Sequence, residues 1–172
     1  NEGGTGCSTG RVKYEGKYGS LCNPSRTGYT FDGWSLSVNG TIINADDEFN
    51  IYNDITLYDN WTPITYTITY HLNNGSQGSG AVYNYNIETS TFNLPTPSRT
   101  NYQFLGWYES SSLSGNTISK VTKGSYGNKN YYASWAGCTD GTLKYDQSKG
   151  YICVKNRSSE NYSYECGTYA CG

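Results

Sequence analysis

The chain has 172 residues, 15% of them charged, and a formal net charge of −2. That balance supplies neither the basic field that nucleic acid requires nor an acidic tail, and no run approaches the roughly 18 consecutive apolar residues of a membrane helix. Six cysteines, four of them in the last 35 residues, predict disulfides and with them an oxidising, extracellular compartment. Nineteen Tyr, 21 Gly and no Met favour pleated surfaces punctuated by turns, so a mostly β protein is expected. The absence of an initiating Met leads us to expect a processed product or a fragment.

In chain order, residues 1–10 are Gly, Ser and Thr around Cys7 and read as a loop, followed by a short strand over Val12–Tyr14. A bridge from Cys7 to Cys22 would close a loop of about 15 residues and restrict the unfolded chain by about 3 kcal/mol on the entropy model. Next comes Pro24-Ser25-Arg26-Thr27-Gly28-Tyr29-Thr30-Phe31-Asp32-Gly33-Trp34. Pro24 fixes an extended entry, and Tyr29 and Phe31 alternate at period two toward a core. Gly33, inside what is otherwise strand, marks a bulge or a close backbone approach that re-aims Trp34. Arg26 is expected to stack on an aromatic ring or satisfy loop carbonyls rather than bind a ligand. Asn39-Gly40 is a turn, Ala45–Phe49 reads as one helical turn, and Ile55–Trp61 reads as a closing strand. Thr62-Pro63 is then a two-residue linker, short enough to hold two domains as a semi-rigid rod.

The next segment carries the clearest strand: Ile64, Tyr66, Ile68, Tyr70 and Leu72 share one face, and Thr65, Thr67, Thr69 and His71 the other. Asn73-Asn74-Gly75 turns it back, Ala81–Ile87 makes another strand, and Thr89–Thr100 is extended or at most briefly helical. The signature then recurs as Pro97, Ser98, Arg99, Thr100, Tyr102, Phe104, Gly106 and Trp107, matching eight of eleven positions. A Ser-rich loop over 110–114, a strand near Thr117–Val121 and a closing Tyr131-Tyr132-Ala133-Ser134-Trp135 follow. That last run echoes Leu57-Tyr58-Asp59-Asn60-Trp61.

A period of about 73 residues exceeds solenoid units, so each copy is expected to be a small domain with its own core. This gives residues 1–61 as a first repeat without its opening strand, 64–135 as a complete second repeat, and 136–172 as a cysteine-rich β module. In that module Thr142–Tyr145 and Tyr151–Val154 form a hairpin, and a further strand lies near Tyr162–Glu165. Its four cysteines permit three pairings, of which the local one, Cys138 with Cys153 and Cys166 with Cys171, is slightly favoured.

The run from Ile68 to Trp135 resembles the Listeria-Bacteroides repeat, the family of the B-repeats of internalin-type surface proteins. The resemblance rests on the apolar strand ending in Asn-Asn-Gly, the Leu-Pro-Thr-Pro-Ser-Arg-Thr entry, the Tyr-x-Phe-x-Gly-Trp strand and the closing Tyr-Tyr-Ala-Ser-Trp, and it covers roughly 130 residues. It implies a β-grasp-like fold, export to the bacterial surface, and a role as an adhesin or stalk module with no catalytic residues. The first copy departs from it, because Asn1-Glu2-Gly3-Gly4 lies over Asn73-Asn74-Gly75. Two origins fit that departure: a boundary that cuts the domain, or a strand donated by a neighbouring chain, which would make the protein a filament subunit.

His71 is the sole histidine, which leaves no multi-histidine metal site, and it is expected on the solvent face of its strand, where no Ser-His-Asp triad is expected of it. Asp46, Asp47, Glu48 and Asp54 lack the alternation of a calcium loop and read as a solvated turn. The late cysteines lack Cys-x-x-Cys pairs, so zinc is not expected. The sequence therefore predicts a non-enzymatic extracellular repeat module without cofactor or metal. Its expected partners are other segments or copies of a surface protein, with a homopolymer, a host protein or a glycan as alternatives.

Overall fold

A computed structural model describes residues 3–138 and 141–155. They are strands, turns and loops, with no helix among the described residues, so the mostly β expectation holds. The chain divides into two compact units, Asn1–Thr65 with Asn86–Glu88, and Tyr66–Tyr85 with Thr89–Gly172.

The first unit contains β1 (Gly16–Lys17), β2 (Tyr29–Ser35), β3 (Glu48–Phe49) and β4 (Tyr58–Pro63). β2 pairs antiparallel with β4, and β1 with β3. Two local expectations change. Val12–Tyr14 is loop and turn, with the strand displaced to β1, and Ala45–Phe49 is not a helical turn but a turn leading into β3. The reason is pairing: the main-chain N–H of Tyr18 donates to Asp47 and that of Gly19 to Ala45, so this segment's backbone groups are satisfied across the ladder.

The second unit contains β5 (Tyr66–His71), β6 (Asn84–Tyr85), β7 (Phe92–Asn93), β8 (Tyr102–Tyr108), β9 (Lys120–Val121), β10 (Lys129–Gly137), β11 (Gly141–Asp146) and β12 (Gly150–Lys155). Four of these form one mixed sheet in the order β6-β5-β10-β8, β7 pairs with β9, and β11 with β12. The first and last long strands of the repeat, β5 and β10, lie side by side and parallel, with Ile68 opposite Lys129 and His71 opposite Tyr132. That central parallel pair with antiparallel neighbours is the β-grasp-like arrangement. The strand expected over Ala81–Ile87 shrinks to Asn84–Tyr85, because only Tyr66 and Thr67 offer it a ladder. The strand expected over Thr117–Val121 likewise shrinks to β9.

The period-two pattern of β5 places Ile68 in the core, where it packs with Tyr85, Leu94, Trp107, Val121, Tyr131 and Ala133, while Thr67 and Thr69 stay exposed. Tyr66, Tyr70 and Leu72 line the same core from its rim. Burying each such side chain contributes about 1.5 to 3 kcal/mol. His71 lies with Thr67 and Thr69 on the face opposite Ile68, as expected, and is half-buried there because its ring stacks on Tyr132, centroids 4.1 Å apart and 7° between planes.

Two disulfides staple the described chain, Cys7–Cys22 and Cys138–Cys153, each closing a separation of 15 residues. Cys166 and Cys171, and the strand expected near Tyr162–Glu165, lie outside the described residues.

Candidate functional site

The signature residues build the same object in both units. In the second, Tyr132 faces Tyr108, Ser134 faces Gly106 and Trp135 faces Phe104, so Leu105 is bulged out. In the first, Tyr58 faces Ser35, Asn60 faces Gly33 and Trp61 faces Phe31, which bulges Asp32. Each of these bulges is followed by a residue in a conformation that L side chains resist. Gly33 and Gly106 supply it with φ of 140° and 143°. A Cβ on Gly33 would also sit 2.5 Å from Cγ2 of Ile42, and one on Gly106 2.6 Å from Cγ2 of Thr117.

The aromatic rings repeat with equal fidelity. Phe104 contacts Trp107 and Trp135 edge-on at 5.4 and 5.5 Å between centroids; Phe31 meets Trp34 and Trp61 at 5.4 and 5.1 Å. Such pairs add about 0.5 to 1.5 kcal/mol beyond burial. The indole N–H of Trp107 donates to the carbonyl of Pro95 and that of Trp34 to the carbonyl of Cys22, both at 2.7 Å. Cys22 thus fills the place of Pro95 and adds a covalent tie there. The Arg99 guanidinium lies 3.5 Å over the Tyr102 ring and that of Arg26 3.9 Å over Tyr29. Both arginines are therefore stacked as the sequence suggested, and Pro24 and Pro97 are buried at the strand entries.

The units differ at one edge. In the second, Lys129 to Tyr132 of β10 pair with β5. Among the described residues their counterparts, Ile55 to Tyr58, have no such partner, and β4 begins only at Tyr58. Among the described residues no strand pairs with the second edge of β4. The Trp135 indole N–H donates to the carbonyl of Leu72 at 3.0 Å, whereas the buried Trp61 indole nitrogen has no hydrogen-bond partner among the described residues. The register explains the contrast. Gly75 approaches the Trp135 ring, and Gly4 comes within 2.6 Å of the Trp61 ring at its would-be Cβ, so Leu72 corresponds to Asn1, outside the described residues. Trp107 is 1% exposed under Tyr70; Trp34, with no such cover, is half-buried. Asp59 is buried where the second unit has Ala133.

Chemically, these groups are spent on the framework. His71 is hydrogen-bonded to the Asn130 side chain at 3.0 Å, and Asp47 accepts from the backbone N–H of Asn44 at 2.7 Å. Burial pushes the hydroxyls of Tyr70 and Tyr131 up to about 12, which keeps them neutral hydrogen-bonding groups; Tyr70 donates to Val82. Among the described residues no group of three His, Cys, Asp or Glu stands ready for a metal ion. No helix there is long and apolar enough to cross a membrane. A hollow of about 220 Å³ in the first unit is lined chiefly by framework residues, among them Arg26, Tyr29 and Trp61.

Two tandem copies of one small β fold, with identical bulges and aromatic stacks, define a repeat protein whose repeated residues hold its own architecture together. The chain belongs to the Listeria-Bacteroides repeat domain family, a family of surface-associated repeats, whose model matches residues 1–59 and 66–134. It is also similar to two proteins of Evansella cellulosilytica. One, provisionally named a membrane protein, is 31% identical over 100 residues, which are 55% of this chain and 15% of the relative. The other, provisionally named a Gly-rich membrane protein, is 31% identical over 113 residues, 64% of this chain and 13% of the relative. The chain thus spans less than a sixth of the length of either relative. No solved structure matches it.

Proposed function

We propose that the chain is a non-enzymatic spacer or adhesion module of a bacterial surface protein. It sets other parts of a longer polypeptide at a distance, and it works outside the cell. One observation carries this reading: the sequence repeated between the two units is the part that forms bulge, stack and strand entry. A catalytic or ligand site would instead concentrate polar groups around a cavity, and domains joined in tandem along one chain are a means of building length. The two disulfides are suited to an oxidising exterior, and the relatives' names place those proteins at a membrane.

The test is surface labelling. An antibody against the 172-residue chain, applied to intact and to permeabilised cells that make the parent protein, should label both equally. Label that appears only after permeabilisation would overturn the proposal. Trypsin treatment of intact cells should remove the signal in the same experiment.

A further inference from the structure

The geometry points to a mechanical role for the seam between β5 and β10: it is a shear clamp that resists force applied along the chain. Load entering the second unit from Thr65 pulls β5 back toward its own start, and load leaving at Gly137 pulls β10 forward. The two strands are parallel neighbours, so these opposed pulls slide one along the other. Every bond across the seam is then strained at once. In an antiparallel pair loaded at one end, the bonds would instead open in succession.

The seam is reinforced by side chains at both ends. The backbone N–H of Thr67 donates to the Asn128 side-chain oxygen at 3.0 Å, ahead of the first ladder pair. Beyond the last pair the Asn73 amide donates to the Ala133 carbonyl at 2.7 Å, and the Trp135 indole donates to Leu72 at 3.0 Å. Between them His71 is bonded to Asn130 and stacked on Tyr132. Three of these bonds join a side chain of one strand or its flanking turn to the backbone of the other, so they lie across the sliding direction. The Cys138–Cys153 bridge passes load from the end of β10 to Cys153 within β12, which leaves β11 and the first residues of β12 outside the tensioned path. The first unit provides the contrast, since among its described residues no strand lies parallel to β4.

This inference rests on the spacer reading, because only a chain under tension needs the clamp. It is tested on the oxidised 172-residue protein held by handles at its two ends in a single-molecule pulling experiment, where rupture reports the unfolding barrier. The roughly 70 residues from Tyr66 to Cys138, at about 3.5 Å each, release about 25 nm. The first unit releases less, because the Cys7–Cys22 bridge withholds its loop. We expect the longer event at no less than twice the force of the shorter one. Moving one handle to exposed Thr100 loads β8 and β10 at the same end of their antiparallel ladder, and the force for the second unit should then fall at least twofold. Asn128→Ala and Asn73→Gly, the latter compatible with the positive φ at Asn73, should lower the end-to-end force and leave the Thr100 pull unchanged. Equal forces for the two units, or equal forces in the two pulling geometries, would overturn the clamp. Either result would leave the surface labelling intact, and failure of surface labelling would leave the force ratio intact.

Discussion

The two closing tryptophans allow one substitution to be made twice in the same molecule, with opposite electrostatic bookkeeping. Trp135→Phe removes the indole N–H that donates to Leu72 at 3.0 Å, a bond that contributes about 1 kcal/mol net. Trp61→Phe removes a buried indole N–H with no partner among the described residues, and so relieves a desolvation cost of about 1 to 3 kcal/mol. Both changes shrink a ring that packs on the equivalent phenylalanine, at 5.5 Å for Phe104 and 5.1 Å for Phe31, so the loss of packing is common to the two. Trp135→Phe should therefore destabilise its unit by about 2 to 4 kcal/mol more than Trp61→Phe destabilises its own. Native-state hydrogen exchange of the β10 and β4 amides in mild denaturant reads the two units separately. Equal losses, or a larger loss for Trp61→Phe, would refute the reasoning and show that Trp61 has an acceptor in solution.

Gly106→Ala must place a Cβ at φ 143° and 2.6 Å from Thr117; it should cost the second unit about 2 to 4 kcal/mol. Gly80→Ala, at φ 76° with open space around it, should cost about 1 kcal/mol; guanidinium midpoints compare the two. Reducing Cys7–Cys22, which spans 15 residues, should lower the stability of the first unit by about 3 kcal/mol, seen as a fall in its own denaturation midpoint. Tyr70 and Tyr131 hold their protons to about 12 in the fold but titrate near 10 when unfolded. The folded state therefore binds more protons between those values. Stability of the second unit should be intact below pH 10 and fall as pH rises from about 10 to 12. A tyrosinate absorbance titration alongside circular dichroism checks this; full tyrosine ionisation with the sheet intact would contradict it.

Much of this molecule is legible from residue types. The duplicated Pro-Ser-Arg-Thr and Tyr-x-Phe-x-Gly-Trp runs identify the repeat, because the positive φ beside each bulge favours glycine and the rings on either side must pack at fixed spacing. Alternation from Ile64 to Leu72 finds β5 and its buried face, because strand side chains alternate whatever their partners. Arg26 and Arg99 are legible as stacking groups, since each precedes a tyrosine by three residues at a strand entry.

What local pattern cannot carry is the identity of a strand's neighbour. Ile55–Trp61 has the alternation of a closing strand, yet only Tyr58 onward is strand, because a ladder requires a second backbone and the first unit's described residues offer one on a single side. The same cause decides Trp34, Trp61 and His71: exposure, an orphaned donor and a stacked ring each depend on whether a β5-like strand lies alongside. Composition and spacing thus determine which segments can be strands and which glycines must stay glycine. The parallel pairing of β5 with β10 belongs to tertiary structure alone, since it joins residues some sixty positions apart whose contact no short-range preference encodes.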